Sequence, residues 1–440
     1  MRFSPVERHG RLLLLALFVT LLAGRFTPAR IGFDSTFDLR VIGAGAVTLA
    51  YVLWVSVAAA RTRKLPVGVF GGWFAGFCAW LALTALWTPS GARVTGRLTD
   101  LAFMALLVLL ALQVGSRLPD TGQVWRWTWV AGIAYFVAAI AAGPGDQGRY
   151  AALGGGPNVF VRIMILGAVA AIALAVLKGA SWTLWSLPLF AAGVVLSGSR
   201  GGLVAFAGVA VAGAIPVLRR LKRRGRRQLA AAIAVAGIPA LWVLGPRLAP
   251  LWHERFVQQT FVDRYASSRD TLTSQAWQMF QDHPLVGAGL DGFHATYPQW
   301  PYPHNLLLGA GAEGGTVAVA LLLIPMLVIV AAIWRARPLR SNVLFLLLAG
   351  LALLVASIFS GDFYDTRFMW LFFGLAGIEA RRSSVDQVTD SRRAISNSAQ
   401  SDQRRADQVR PGVSPIRTSQ TPAIKNATRL PAAAPEIPAN

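Results

Sequence analysis

The sequence predicts an all-α, polytopic membrane protein of about 12 transmembrane helices, with one long extracytoplasmic loop that contains short amphipathic helices. Two observations carry this prediction. Of the 440 residues, 55% are apolar and only 14% are charged, and the mean hydropathy is +0.51. The apolar residues also recur in blocks of roughly 20, the length that an α-helix needs to cross about 30 Å of hydrocarbon. An ordinary arrangement of soluble domains is therefore disfavoured.

The apolar blocks give the order of the predicted helices. They centre on residues 12–27, 41–60, 67–87, 98–114, 127–142, 159–177, 182–196, 202–218, 229–245, 316–334, 343–359 and 368–379. We divide the chain accordingly into N-terminal transmembrane helices (1–245), a long extracytoplasmic loop (246–315), C-terminal transmembrane helices (316–379) and a tail (380–440). The tail is rich in Ser, Arg, Gln and Pro and has no apolar period, which predicts a disordered cytoplasmic extension.

The distribution of charge predicts the orientation in the membrane. The chain carries 42 Lys and Arg against 20 Asp and Glu, a net charge of +22. When successive loops are assigned to alternate sides, most of the basic residues share the side of the N-terminus. The positive-inside rule then places both termini in the cytoplasm and the long loop outside. No convincing cleavage site follows the first apolar block, so we interpret this block as a retained signal anchor.

Basic residues are densest between Arg219 and Arg227. We interpret this cluster as a topology anchor that contacts anionic lipid rather than as a nucleic-acid site. Membrane lipids are thus predicted partners and nucleic acid is not. The oligomeric state stays unknown at this stage.

Neither a cofactor nor a metal is predicted. Cys78 is the only cysteine, which excludes a disulfide or a cysteine-based metal site within one chain. Four histidines fall in the long loop, and their spacings match no usual zinc arrangement. They are His253, His283, His294 and His304.

The long loop contains two recognisable segments. Residues 267–270 resemble a helix capping box, and the apolar side chains that follow share one helical face, which predicts an amphipathic helix ending at Pro284. Gly287, Gly289 and Gly292 match the spacing of a dinucleotide-binding fingerprint but lack the strand and helix that it requires. We expect instead a turn that passes close to another backbone. The aromatic and proline-rich residues 293–303 predict a stiff wall.

Several polar side chains gather at the predicted outer ends of the helices. His304 and Asn305 lie where the long loop meets the membrane, and Arg200 lies in the turn 197–201 between two spans. Arg149 and Asn158 frame a glycine-rich turn. Further arginines near this side are Arg264, Arg269 and Arg367. Because a guanidinium binds phosphate oxygens in a bidentate fork, these arginines predict an anion site.

The order of these motifs carries a resemblance. A Ser-Arg-Gly turn at Arg200 is followed by a long loop with Arg269, Trp277 and the segment 282–289, then by His304-Asn305 and by Glu-Gly-Gly at 313–315. Over about residues 193–323 this succession resembles the O-antigen ligase and O-antigen polymerase superfamily of polytopic bacterial membrane glycosyltransferases. The turn at 148–158 is also similar to this family.

The resemblance implies a glycosyltransferase that moves a glycan from a polyprenyl-diphosphate carrier, such as undecaprenyl diphosphate, to a hydroxyl acceptor on the outer face of the bacterial plasma (inner) membrane. The loop 246–315 would be the catalytic loop. The alternative within the superfamily is an O-antigen or exopolysaccharide polymerase. The implied partners are the lipid-linked donor and a lipid or glycan acceptor. The implied reaction is metal-independent and inverts the anomeric configuration if the acceptor attacks directly.

The resemblance also implies roles for individual residues. His304 would accept the proton of the acceptor hydroxyl, since an imidazole with an unperturbed pKa of about 6.5 suits proton transfer near neutral pH. Arg200 and Arg269 would stabilise the leaving diphosphate. The residues expected to contact substrate are Arg149, Asn158, Arg264, Asn305, Glu313 and Arg367.

Two other classes stay open. A metal-dependent oligosaccharyltransferase would need outer carboxylates, for which Asp34, Asp38, Asp362 and Asp365 are candidates, although we expect them to be solvated loop ends. A solute transporter would suit the number of spans, but no row of ionisable residues through the middle of the spans and no clear inverted repeat supports it. A structural membrane partner is a further possibility.

Overall fold

The computed structural model describes residues 4–24, 39–58, 68–145, 148–238, 242, 268–335 and 340–383. In these ranges the regular structure is helical, apart from one isolated β-bridge between Pro144 and Tyr150. The all-α prediction is confirmed. The predicted tail beyond residue 383 and the part of the long loop from 243 to 267 lie outside the described residues, and with them Asp34, Asp38, His253 and Arg264.

The described helices are numbered in chain order. They are α1 (Pro5–Ala23), α2 (Leu39–Ala58), α3 (Gly68–Leu83), α4 (Val94–Arg117), α5 (Val124–Ala142), α6 (Pro157–Leu177), α7 (Leu187–Leu196), α8 (Arg200–Arg220), α9 (Arg223–Ala232), α10 (Ser268–Asp282), α11 (Gly292–Thr296), α12 (Leu306–Arg335), α13 (Ser341–Phe359) and α14 (367–383).

Among the described residues, 8 helices are long and apolar enough to cross a membrane. They are α2, α3, α4, α5, α6, α8, α12 and α13. The membrane prediction is confirmed, but the count of 12 spans is not. One reason is visible at the predicted span 182–196, where a 3₁₀ turn (Ser181–Ser186) precedes the short helix α7. Another is α1, whose first turns carry Glu7, Arg8 and Arg11.

The bundle has two chemically different ends. At one end of the bundle, which we call the site end, five helices end and five begin. The helices that end there are α1, α3, α5, α7 and α13, and those that begin there are α2, α4, α6, α8 and α14. At the opposite end, Arg11 of α1 binds Asp120 at 2.9 Å, and Glu379 of α14 accepts a hydrogen bond from the Thr121 hydroxyl at 2.7 Å. The first and last described helices therefore start and finish at the same end of the bundle.

The ion pair between Asp120 and Arg11 connects two elements at this opposite end. Burial alone would raise the pKa of its carboxyl, but the hydrogen bond and positive charge of Arg11 hold that pKa below its ordinary value. The ionised carboxylate thus ties the loop between α4 and α5 to α1.

The helix α10 confirms the predicted amphipathic segment. Its apolar face carries Leu272, Ala276 and Met279, which are buried against Phe293 of α11 and Ala312 of α12. Ser267, the expected cap, lies outside the described residues, and the helix ends at Asp282, just before Pro284. The second half of the long loop is thus packed on the first turns of α12.

A break in α12 receives the glycine-rich turn of the loop. Gly315 has φ 66°, so the helical hydrogen bonding of α12 is interrupted there. The freed carbonyl of Ala312 accepts from the amide of Ala288 at 2.8 Å, and the amide of Thr316 donates to the carbonyl of Pro284 at 2.8 Å. Backbone groups at membrane depth must be satisfied by protein, and the loop does this.

The glycines make this close approach possible. Gly287 and Gly289 have φ 70° and 103°, and a side chain on them would overlap the backbone of Glu313 and of Thr88 respectively. The expectation of a turn close to another backbone is confirmed. Two indole groups lock the same region, because Trp80 donates to the carbonyl of Gly314 at 2.7 Å and Trp87 to that of Gly287 at 3.2 Å.

Candidate functional site

His304 lies at the site end, two residues before α12 begins. Its backbone adopts φ 58°, which is uncommon for a residue with a side chain. The imidazole packs against the ring of Tyr302, with centroids 4.3 Å apart, and its Nδ1 lies 3.4 Å from the hydroxyl of Ser360. The residue is only half-buried. An imidazole that is held by neighbouring groups and is not fully buried can serve as a general base.

Asn158 connects His304 to two other turns. Its amide nitrogen donates to the Ser360 hydroxyl at 2.6 Å, and its carbonyl oxygen accepts from the hydroxyl of Ser199 at 3.0 Å. Arg149 donates to the backbone carbonyl of Ser197 at 2.9 Å and reaches the Asn158 oxygen at 3.5 Å. Arg149 and Asn158, which frame the glycine-rich turn in the sequence, are thus in contact in the structure. Both side chains bind protein groups that support His304.

Arg200 is the first residue of α8, directly after the N-cap Ser199. The start of α8 touches the end of α13, since a Cβ at Gly201 would overlap Phe359. Ser360, the next residue, is the partner of His304. Arg200 is thus brought to the same turn cluster as His304, by way of Ser199 and Asn158. Arg269 lies in the first turn of α10, and its side chain lies outside what the structure describes, as does all of Arg264.

A buried ion cluster fixes the segment that leads to His304. Asp291 is fully buried and accepts hydrogen bonds from the guanidinium groups of Arg93, at 2.9 Å, and Arg97, at 2.8 Å. Both arginines also donate to the carbonyl of Pro301, at 3.1 and 3.0 Å. The cluster therefore ties both α11 and the residues just before His304 to the first turn of α4.

Burial and the two arginines have opposite effects on the pKa of the Asp291 carboxyl. Burial would raise the pKa, but the hydrogen bonds from Arg93 and the charge of Arg97 lower it below its ordinary value. Asp291 is consequently ionised at neutral pH. Its backbone has φ 60°, a conformation that the surrounding bonds hold in place.

Asp362 and Asp365 do not fit the expectation that the outer carboxylates are solvated loop ends. Asp362 is not a solvated loop end: it is 6% exposed and binds Arg97 at 3.0 Å. Asp365 is partly buried and lies 3.4 Å from Arg162 and 3.8 Å from Arg367. The reason is that the turn between α13 and α14 is packed under the long loop. These carboxylates compensate buried arginines instead of facing water.

Two predicted substrate residues, Asn305 and Glu313, line one pocket at the site end. Asn305 caps α12, with its side-chain oxygen accepting from the amides of Leu307 at 3.0 Å and Leu308 at 3.1 Å. Glu313 is buried and lines the same pocket as Arg97. Other residues lining this pocket are Tyr302, Pro303, Gly361 and Asp362. Because Pro303 and Asn305 both line the pocket, residues on both sides of His304 in the sequence contribute to its wall.

Arg367 is more enclosed than expected for a substrate contact. It is 9% exposed, donates to the carbonyl of Leu21 at 2.6 Å and to that of Tyr364 at 3.3 Å. Its guanidinium also lies over the ring of Tyr364, 5.0 Å from the centroid. Most of its bonding capacity therefore ties the end of α1 to the start of α14.

Sequence reasoning missed three residues of this site. Ser360 is the shared partner of His304 and Asn158, and a lone serine after an apolar block gives no signal. Arg162 did carry a signal, because it is an ionisable residue inside an apolar block, and so did Arg97, which directly precedes another block; charge is costly at such positions unless it is compensated. Arg162 is 5% exposed and donates to the backbone carbonyl of Ser360.

One comparison with known proteins covers this part of the chain. A family model described as O-antigen ligase matches residues 185–323, which run from the turn before α7 to the middle of α12. The match includes Arg200, Arg269 and His304. No curated protein matches the sequence. Over residues 185–323 the chain is therefore similar to the O-antigen ligase family.

Proposed function

We propose that the protein transfers a glycan from a polyprenyl-diphosphate carrier to a hydroxyl acceptor, in the manner of an O-antigen ligase. One observation carries the proposal: His304, in an unfavourable backbone conformation, is bound to Ser360 within a network that includes Asn158 and the start of α8. Backbone strain of this kind costs roughly 1 to 3 kcal/mol and clusters at functional sites.

The chemistry follows from the charges that develop. The acceptor oxygen attacks the anomeric carbon of the donor sugar, and the bond from that carbon to the diphosphate oxygen breaks. His304 takes the proton of the attacking hydroxyl and later returns it to solvent. The lipid diphosphate leaves with the bonding electron pair. Direct displacement of this kind inverts the anomeric configuration and needs no metal.

The leaving diphosphate needs positive charge. We assign this role to Arg200 and Arg269, with Arg264 as a further candidate, because a guanidinium fork matches phosphate oxygens. The start of α8 adds the partial positive charge of a helix N-terminus. We assign the acceptor to the pocket lined by Asn305 and Glu313, because Asn305 directly follows His304 in the sequence.

The proposed setting is the bacterial inner membrane, with the site end facing outward. Arg11, Arg117, Arg126 and the cluster Arg219–Arg227 belong to the opposite end of the bundle. By the positive-inside rule that end is cytoplasmic, and both termini lie there. Lipid-linked glycans are then delivered to His304 from the outer leaflet.

The test is transfer activity of the His304→Ala variant. Purified full-length protein in vesicles receives a polyprenyl-diphosphate-linked glycan and an acceptor, and product is measured by mass. Loss of a general base should lower the rate by about 10² to 10⁴-fold. His283→Ala is the matched control, since His283 is an exposed histidine of the same loop. Equal transfer by both variants would remove His304 from the reaction.

A second experiment separates ligase from polymerase. The gene is deleted, and the lipid-linked glycans that accumulate are analysed by mass. Long unattached chains indicate that transfer to an acceptor is lost, which supports the proposed ligase. Single repeat units indicate that chain extension is lost, which supports the polymerase.

A further inference from the structure

The end of α10 and the turn after it carry apolar side chains on their outer surface. Leu285 is 69% exposed and Val286 is exposed as well, although both belong to the loop that the sequence places outside the membrane. Trp277 of α10 is also exposed. We call these three residues the loop foot. Exposed apolar groups that lie together mark a surface of interaction with a membrane or a protein.

The three residues of the loop foot lie along one side of α12. The ring of Trp277 packs on that of Phe280, with centroids 5.5 Å apart, and Phe280 in turn lies against Gly311. One helical turn further along α12, the carbonyl of Leu285 occupies the place where a Cβ on Gly315 would lie. The loop foot is therefore one continuous surface rather than scattered apolar residues.

This surface adjoins two candidate membrane spans. The span of α3 runs on to Trp87, whose indole donates to the carbonyl of Gly287 at 3.2 Å, directly after the loop foot. Its neighbour Leu86 is 80% exposed, and Val317 of α12 is exposed on the other flank. The loop foot thus continues the apolar surface that α3 and α12 offer to lipid.

The break in α12 gives the depth of the loop foot. From Thr316 to its end at Arg335, α12 has about 20 residues, and at about 1.5 Å per residue this length matches the thickness of the hydrocarbon. Gly315 then lies at the hydrocarbon boundary of the site end. The rings of Trp80 and Trp87, 6.0 Å apart, bind backbone carbonyls at this level, where tryptophan is enriched in membrane proteins.

The backbone beneath the loop foot is paired in a way that suits this depth. The carbonyl of Pro284 accepts from both the amide and the hydroxyl of Thr316, each at 2.8 Å, and the carbonyl of Leu285 accepts from the amide of Val317 at 3.4 Å. Proline also has no amide hydrogen to leave unpaired. Water is scarce at the hydrocarbon boundary, so carbonyls there require protein donors.

The flanking residues favour a lipid surface over a protein partner. Asp282 and His283, directly before Pro284, are exposed and polar, so charge lies on one side of the turn and apolar side chains on the other. This is the pattern of a segment that lies in a membrane interface. A stable protein interface would need about 1,200 Å² of buried surface, far more than three side chains supply.

We propose that the loop foot inserts its side chains into the edge of the bilayer hydrocarbon at the site end. The long loop is then held from two sides, by α12 through its backbone and by phospholipid acyl chains through Trp277, Leu285 and Val286. The lipid here is the bulk bilayer and not a substrate. This inference goes beyond the proposed function and does not depend on it.

Collisions of a spin label with oxygen and with a nickel chelate test the contact. Oxygen concentrates in hydrocarbon, whereas the polar chelate stays in water. Cys78 is the only cysteine, so Cys78→Ala gives a full-length background without thiols. Leu285→Cys in that background is labelled with a nitroxide in nanodiscs of phosphatidylcholine. Gln299→Cys is the water control, because Gln299 is exposed in the same loop before α12 begins, and Val211→Cys is the lipid reference, exposed on the span of α8.

The label at Leu285 should collide with the nickel chelate at least about fivefold less often than the label at Gln299, because hydrocarbon excludes polar solutes. It should collide with oxygen about as often as the label at Val211. Val286→Cys provides a second site in the loop foot and decides alone if Leu285→Cys does not fold.

Two results would overturn the proposal. Nickel collisions at Leu285 as frequent as those at Gln299 would show that the loop foot faces water. Low collision rates with both reagents would show that protein covers it, such as a second copy of the chain. Only frequent oxygen collisions together with rare nickel collisions support contact with lipid.

Discussion

Asp291 is the residue whose loss should loosen the long loop without altering His304 itself. Its carboxylate is fully buried and bonds two arginines of α4. Asp291→Ala would leave Arg97, which is 7% exposed, with one of its two carboxylate partners missing. We expect the loop to detach from α4 much more often than in the parent.

The size of the effect follows from burial. Removing one partner of a buried ion pair costs about 3 to 5 kcal/mol, because the other charge stays in a poor solvent. The side chain of Arg93 is 46% exposed, so its pair with Asp291 is screened by solvent and adds little. At about 1.4 kcal/mol per factor of ten, the local opening equilibrium should rise by roughly two to four powers of ten.

Hydrogen exchange measures this opening directly. The amides of Ala288 and Gly289 bond to the carbonyls of Ala312 and Glu313 at 2.8 and 3.0 Å, so they exchange only when the loop leaves α12. Peptides covering residues 285–295 should lose protection in Asp291→Ala. Asp282→Ala is the control, since Asp282 is an exposed acid at the end of α10. Protection within a factor of about three of the parent would refute the assigned role of the ion cluster.

Three other predictions follow from the same contacts. The pKa of Asp291 is lower in the folded protein than in the unfolded chain, so the stability it contributes is complete above the unfolded pKa and is lost as pH falls. The protection of the loop amides should therefore persist down to about pH 4 and decline below it. A decline that begins near neutral pH would contradict this. Ser360→Ala removes the hydrogen-bond partner of His304 and should lower transfer by about 2- to 10-fold with a shifted pH profile, whereas a structural role alone would leave the profile unmoved. Gly315→Ala should destabilise the protein by about 1 to 3 kcal/mol or more in thermal unfolding, since φ is 66° and the carbonyl of Leu285 occupies the Cβ position, while Gly45→Ala, in open space on α2, should not.

Features set by local sequence were predictable. The amphipathic face of α10 is readable because its apolar residues recur with the helical period, and the Gly287–Gly289 turn because its glycines lack a dinucleotide-binding context. The grouping of Arg149 with Asn158 follows from a short turn that joins them. In each case the partners are close in sequence or share one face.

Features set by long-range packing could not be predicted from the sequence. Arg97 is 194 residues from Asp291 and 265 from Asp362, and no pattern in the sequence links an arginine to its carboxylate over such distances. Asp362 therefore looked like a solvated loop end. The span count was uncertain for a related reason: composition cannot distinguish a full span from a 3₁₀ turn followed by a short helix, as at 181–196.

The short connection between α13 and α14 explains why so many helices converge on one site. Ser360 meets His304 and α6, Asp362 binds α4, and Asp365 lies between the guanidinium groups of α6 and α14. A substitution at this connection therefore affects both the surroundings of His304 and the ion pairs of Arg162. Ser360 is the residue of this turn that contacts both His304 and Arg162, so its position sets how the imidazole and the buried guanidinium lie relative to each other.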